Sequence, residues 1–196
     1  MCIRDSHLPE HKFVSGQPET GADRADDLER IATNFGPENI AACIVEPIAG
    51  STGTLVPPKG YLQKLRDTCD KHGILLIFDE VITGWGRTGS SFASIEYGVT
   101  PDIMTMAKAT TNGVVPMGVV ACKDEIYDSV MDASPMGSVE LFHGYTYSGI
   151  PVAVAAALAV QDIFEKEDIF ERAKNLEPYF QKGLFCLLYT SPSPRD

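Results

Sequence analysis

The sequence has no CxxC pair, no phosphate loop of the form GxxxxGK[ST], no excess of basic residues and no long apolar run. Each absence removes a class of function. Cys2, Cys43, Cys69, Cys122 and Cys186 stand singly, so they make neither a disulfide frame nor a zinc site and read as reduced thiols of a cytosolic (cytoplasmic) protein. His7, His11, His72 and His143 are not at metal-ligand spacing either, so no metal is expected. With 16 Lys and Arg against 27 Asp and Glu, the net charge of -11 offers no broad basic face to nucleic acid or to an anionic membrane. The longest purely apolar run, Val152 to Val160, is far too short to span a bilayer, and no signal peptide is visible. Small-molecule chemistry is the class that remains.

What is present is an ordinary globular composition, 44% hydrophobic and 22% charged, over 196 residues, enough for one substantial domain. Helical and apolar segments alternate. Asp23 to Phe35 has the pattern of an acidic amphipathic helix, and Ile40 to Val45 is a short apolar run of the kind buried parallel strands make. Lys59 to His72 is a helix entered by Pro57-Pro58 and closed by Gly73. Ile74 to Phe78, Ile103 to Ala107 and Gly118 to Ala121 are further strands, followed by helices at Val152 to Glu165 and Ile169 to Gly183. This order predicts an α/β fold, a mostly parallel sheet with helices on both faces. Ligands in such sheets sit beyond the carboxyl ends of the strands, where Glu46 and Asp79 fall.

The ends lack this pattern. Residues 1–6, "MCIRDS", and 185–196, closing on "TSPSPRD", read as non-native flanks around a domain at 7–184.

The stretch "ILLIFDEVITGWGRTG" poses the chemical problem, because an apolar strand runs directly into Asp79 and Glu80. Buried carboxylates are costly without a partner. Three readings compete: solvated or capping acids, a magnesium-holding acid of a nucleotide hydrolase, or an aspartate that keeps the ring nitrogen of pyridoxal phosphate protonated. The second requires the phosphate loop that is absent. The third requires a lysine to carry the cofactor, and "PDIMTMAKATTNGVVPMG" delivers Lys108 at the carboxyl end of the next strand. A lysine ending a buried strand is poorly solvated, which favours its neutral, nucleophilic form.

Three runs, "IVEPIAGSTGTLVPPKGYLQKLRDTCDKHGILLIFDEVITGWGRTGSSFA", "GVTPDIMTMAKATTNGVVPMGVV" and "HGYTYSGIPVAVAAALAV", together resemble the class III pyridoxal-phosphate-dependent aminotransferases of fold type I, closest to the omega-amino acid:pyruvate transaminases. The likeness extends from His7 to about Leu184. It implies pyridoxal 5'-phosphate as cofactor, Lys108 as the lysine that holds it and shuttles a proton, Asp79 as partner of the ring nitrogen, and Val81 packed on one ring face. Thr146, with Tyr145 beside it, would bind the phosphate of the neighbouring subunit in a homodimer, and Glu46 would lie near the active site. Locally, a hydroxyl just before a helix starting near Pro151 suits an anion, although an ordinary capping segment has the same pattern.

The resemblance further implies a beta-alanine-like amine donor and a keto acid such as pyruvate as acceptor. The alternatives are an ornithine-like or 4-aminobutyrate-like donor, or a non-catalytic globular fragment. Two departures qualify the likeness. Relatives usually have histidine at Ile150, within "SGIP", and the family's glycine-serine phosphate cradle, ring-stacking aromatic and small domain are not in this sequence. The chain is therefore expected to be the central part of a large domain, without turnover by itself.

Overall fold

A computed structural model describes residues 15–136, 141 and 145–190 of the chain. Four strands form one sheet in the order β1-β2-β3-β4: β1 (Ala42–Val45), β2 (Leu75–Asp79), β3 (Ile103–Met106) and β4 (Val119–Cys122). The first three are parallel and β4 returns antiparallel to β3. The fold is thus α/β with a mostly parallel sheet, as expected. The antiparallel return has a simple cause. Only a single 3-10 turn (Lys108–Thr110) occupies the chain between β3 and β4, and a parallel strand needs a crossover of a dozen or more residues, usually an α-helix.

Helices α1 (Asp26–Phe35) and α2 (Tyr61–His72) cover one face. In α1 the buried side chains are Leu28, Ile31 and Ala32, and in α2 they include Tyr61, Leu62, Leu65 and Cys69, the three- and four-residue spacing of a helix with one apolar side. These meet Cys43, Leu76 and Phe78, the residues that point to that face by the two-residue period of a strand. Full burial of side chains such as Leu65, Leu76 and Phe78 contributes roughly 1.5–3 kcal/mol each. Helix α2 begins at Tyr61, two residues later than the sequence pattern suggests, because Gly60 takes a left-handed conformation just before it; Gly73, also left-handed, ends it and donates its N–H to Cys69 O. The opposite face of the sheet is more open, with Ile44 61% and Val120 69% exposed.

A short helix α3 (Ala93–Glu96) and helix α4 (Asp124–Ala133) flank β3 and β4 in the chain, and α5 (Pro151–Lys166) and α6 (Ile169–Thr190) follow. Pro151 stands in the first turn of α5 as its sequence predicts. Helix α6 runs past Gly183 to Thr190, into the segment read as a flank; the flank at 1–6 lies outside the described residues. No helix among the described residues is long and apolar enough to cross a membrane.

The sheet and α2 are tied together at Asp102. Its carboxylate accepts hydrogen bonds from Arg66 Nη1 (2.8 Å) on α2, Lys123 Nζ (2.7 Å) after β4 and the backbone N–H of Leu76 (2.7 Å) in β2. Burial by itself would raise the Asp102 pKa, but the donors Lys123, Leu76 and Arg66 outweigh it and hold the carboxyl below its ordinary value. A carboxylate depressed in the folded state stabilises above the unfolded pKa of about 4 and loses that contribution as pH falls through the folded value. Asp102→Asn is therefore expected to lower stability by about 3 kcal/mol at pH 7, since Arg66 and Lys123 lose their counter-charge. Urea unfolding should show this gap narrowing as pH drops below about 4.

Candidate active site

Parallel pairing sets three strand ends side by side, with Val45 opposite Phe78 and Asp79 opposite Thr105. Glu46 follows β1, Asp79 ends β2, and Lys108 lies two residues beyond the end of β3. The three candidates that the sequence assigned to strand ends thus share one edge of the sheet.

The two adjacent acids have separate fates. Glu80 is fully buried, and its carboxylate accepts from Thr83 Oγ1 (2.9 Å) and from the backbone N–H groups of Ala93 (2.7 Å) and Ser94 (2.8 Å) at the start of α3. It is a structural anchor. Asp79 is half-buried, and among the described residues its partners all meet one oxygen: Oδ1 accepts from the Val81 N–H (3.1 Å) and from Thr105 Oγ1 (3.3 Å). No described residue donates to Oδ2. The carboxylate is thereby aimed by two donors, with Oδ2 unused by the described residues. Val81, expected to flank a ring, is fixed to Asp79 through its N–H in a two-residue turn.

Lys108 corrects the sequence reading in one respect. It is exposed rather than desolvated at the strand end, because β3 stops at Met106 and the backbone turns out at Lys108. Its φ is +46°, a left-handed conformation that costs a residue with a side chain roughly 1–2 kcal/mol. Such strain persists where neighbours over-determine it. Here Thr110 N (3.0 Å) and Thr110 Oγ1 (3.0 Å) both donate to Ala107 O, Gly113 N donates to Lys108 O (3.2 Å), and Thr111 Oγ1 donates to Val115 O (2.5 Å). Thr110 and Thr111 are buried.

The remaining candidates are more loosely placed. Glu46 Oε2 accepts from Gly50 N (3.0 Å), closing its own turn. Thr146 is exposed in a single 3-10 turn (Tyr145–Tyr147) ahead of α5, and the Tyr145 side chain lies outside the described residues. Sequence reasoning missed Thr105, Thr110 and Trp85. Thr105 had a visible signal, as a polar residue within "IMTM" on the strand face shared with Asp79.

A model of the family described as aminotransferase class-III matches residues 6–193. The chain belongs to the class III aminotransferases. It is 56% identical over 180 residues to an omega-aminotransferase of Caulobacter vibrioides, covering 92% of this chain and 41% of that protein. It is 51% identical over 181 residues to a beta-alanine–pyruvate aminotransferase of Pseudomonas aeruginosa, covering 91% and 40%. Among solved structures it is similar to an (S)-enantioselective omega-transaminase from Thermomicrobium roseum, with a TM-score of 0.80 and 44% identity over 86% of this chain and 37% of that one. The chain therefore spans about two fifths of the length of these relatives.

For this class III aminotransferase chain, the two acids should separate in a stability assay. Glu80→Ala strands three donors at a buried position and is expected to cost about 3 kcal/mol, whereas Asp79→Ala costs about 1 kcal/mol or less. Chemical unfolding of both variants checks the order, and equal losses would contradict the division of roles.

Proposed function

We propose that the chain carries part of the cofactor site of a pyridoxal-phosphate-dependent transaminase that moves an amino group from a beta-alanine-like omega-amino acid or amine to a keto acid such as pyruvate. One observation carries the reading: a carboxylate with an oxygen that no described residue engages, Asp79 Oδ2, and an exposed lysine, Lys108, stand at neighbouring strand ends of a class III aminotransferase fold. The names of the relatives from Caulobacter vibrioides and Pseudomonas aeruginosa support the donor and acceptor classes.

The donor set suits pyridoxal phosphate. Bound, the cofactor supplies an aldehyde that takes up an amine and a ring that withdraws electrons from the substrate carbon. Asp79 would hold a proton on the ring nitrogen through the oxygen its turn leaves open, and Val81 would flank the ring. Lys108 Nζ would hold the cofactor and serve as the base that moves a proton at the substrate carbon. Thr146, with Tyr145, would bind the phosphate of a neighbouring copy, and Glu46 would stand nearby with one oxygen occupied by its own turn. A homodimer is the proposed assembly, which would cover exposed Leu158, Tyr179 and Phe180 on α5 and α6. The thiols Cys43, Cys69 and Cys122, in no disulfide among the described residues, support a cytoplasmic setting.

Borohydride reduction with pyridoxal phosphate present is expected to fix the cofactor on Lys108, located by peptide mass analysis. Lys108→Ala should abolish the labelling while leaving the far-ultraviolet circular dichroism unchanged. Label recovered on Lys59 or Lys123 would overturn the assignment. Asp79→Asn should leave the covalent label in place but weaken cofactor retention about tenfold or more, as loss of a charge-assisted hydrogen bond requires.

A further inference from the structure

We propose that Trp85 is a positioning residue for Lys108, acting through the hydroxyl of Thr110. The link to catalysis rests on the reading of Lys108 as the lysine that holds the cofactor. The Trp85 indole N–H donates to Thr110 Oγ1 at 3.0 Å, and the same hydroxyl donates to Ala107 O at 3.0 Å. A hydroxyl has one proton, so its donor is committed to Ala107 and its acceptor side to Trp85. The Ala107 carbonyl belongs to the peptide that leads into Lys108, the residue held at φ +46°. Fixing that carbonyl fixes the plane from which the Lys108 side chain departs. Thr110 is only 3% exposed, so water does not readily replace the indole.

The indole is itself clamped. Its ring lies 4.9 Å from Phe92 and 6.3 Å from Phe164 of α5, and Phe164 lies 5.6 Å from Phe170 of α6. Trp85 has φ +61°, and its N–H donates to Ser91 O at 2.6 Å, closing the loop that follows Asp79 and Glu80. Gly86 follows at φ +91°, and a Cβ there would sit 2.7 Å from the Phe170 ring. The loop after β2 therefore reaches over to the turn after β3. One side chain connects the segment bearing Asp79 and the helices α5 and α6 to the turn bearing Lys108.

Hydrogen exchange of residues 105–114, followed by mass spectrometry on the chain without cofactor, tests the coupling. Trp85→Phe and Thr110→Val are each expected to speed exchange there roughly three- to tenfold, the range for one net hydrogen bond. The double variant should go no further than Thr110→Val alone, because that change already removes the hydroxyl through which the indole reaches Ala107. Thr110→Ser, which keeps the hydroxyl, should restore slow exchange. Borohydride labelling of Lys108 by pyridoxal phosphate should fall in Trp85→Phe and Thr110→Val and recover in Thr110→Ser. Unchanged exchange in Thr110→Val with intact circular dichroism, or additive effects in the double variant, would overturn the proposal. Absence of label on Lys108 in the parent chain would instead overturn the functional reading, while the exchange data still decide the coupling.

Discussion

The buried carboxylate of Asp102 is the constraint on which the rest of the structure depends. An ion of this kind is expensive to remove from water, and it persists here because three elements each bring it a donor: α2 through Arg66, β2 through the Leu76 N–H, and the segment after β4 through Lys123. Its backbone is engaged as well, with Asp102 N donating to Leu76 O (2.8 Å) and Lys123 N to Asp102 O (3.0 Å). A one-residue slip of β3 against β2 would strand this charge among apolar neighbours. The register is therefore set far more firmly than hydrophobic alternation alone would set it. That same register places Asp79 opposite Thr105, which orients its carboxylate, and brings the Lys108 turn to the neighbouring strand end.

Beyond the strand ends, the backbone accepts strain at residues other than glycine. Trp85, Lys108 and Asn112 all have positive φ, and each sits in a loop that leaves the carboxyl edge of the sheet. Left-handed conformations at such residues need compensation. It comes from buried hydroxyls: Thr110 and Thr111 hold carbonyls that have no strand partner, and Thr110 adds the indole of Trp85. The strain and its supports lie at the edge where α/β sheets place their ligands, consistent with a site held rigid before anything binds.

Much of this was legible in the sequence, for physical reasons that differ by element. The apolar runs at 40–45 and 74–78 announced buried strands because a strand covered by helices has no polar face to interrupt them. Gly73 announced the end of α2 because few other residues tolerate its left-handed conformation. Asp79 and Lys108 stood out because polar groups at the ends of apolar strands require partners. The exposure of Lys108 was not legible, since nothing in the composition of "AKATTNG" signals a left-handed lysine. The Trp85 bond to Thr110 spans 25 residues and depends on the packing of α5, which no local pattern encodes. The antiparallel sense of β4 could have been read from the missing crossover helix, but only by asking what the turns at 107–118 leave room for.

The adjacency of Asp79 and Glu80 follows from the same alternation that sorts the strand. Leu76 and Phe78 face the α1 and α2 layer, and continuing that period one step sends Glu80 to the buried side, where the N–H groups opening α3 are ready for it. Asp79, one residue earlier, goes to the opposite and more open face with Ile77 and Thr105. Glu80 anchors the loop that returns from the strand, and that loop contains Trp85. Asp79 is left with an oxygen that no described residue consumes. Two acids in sequence are therefore a division of labour: one holds the loop after the strand in place, and the other is aimed from the sheet edge by the Val81 N–H of that loop and by Thr105.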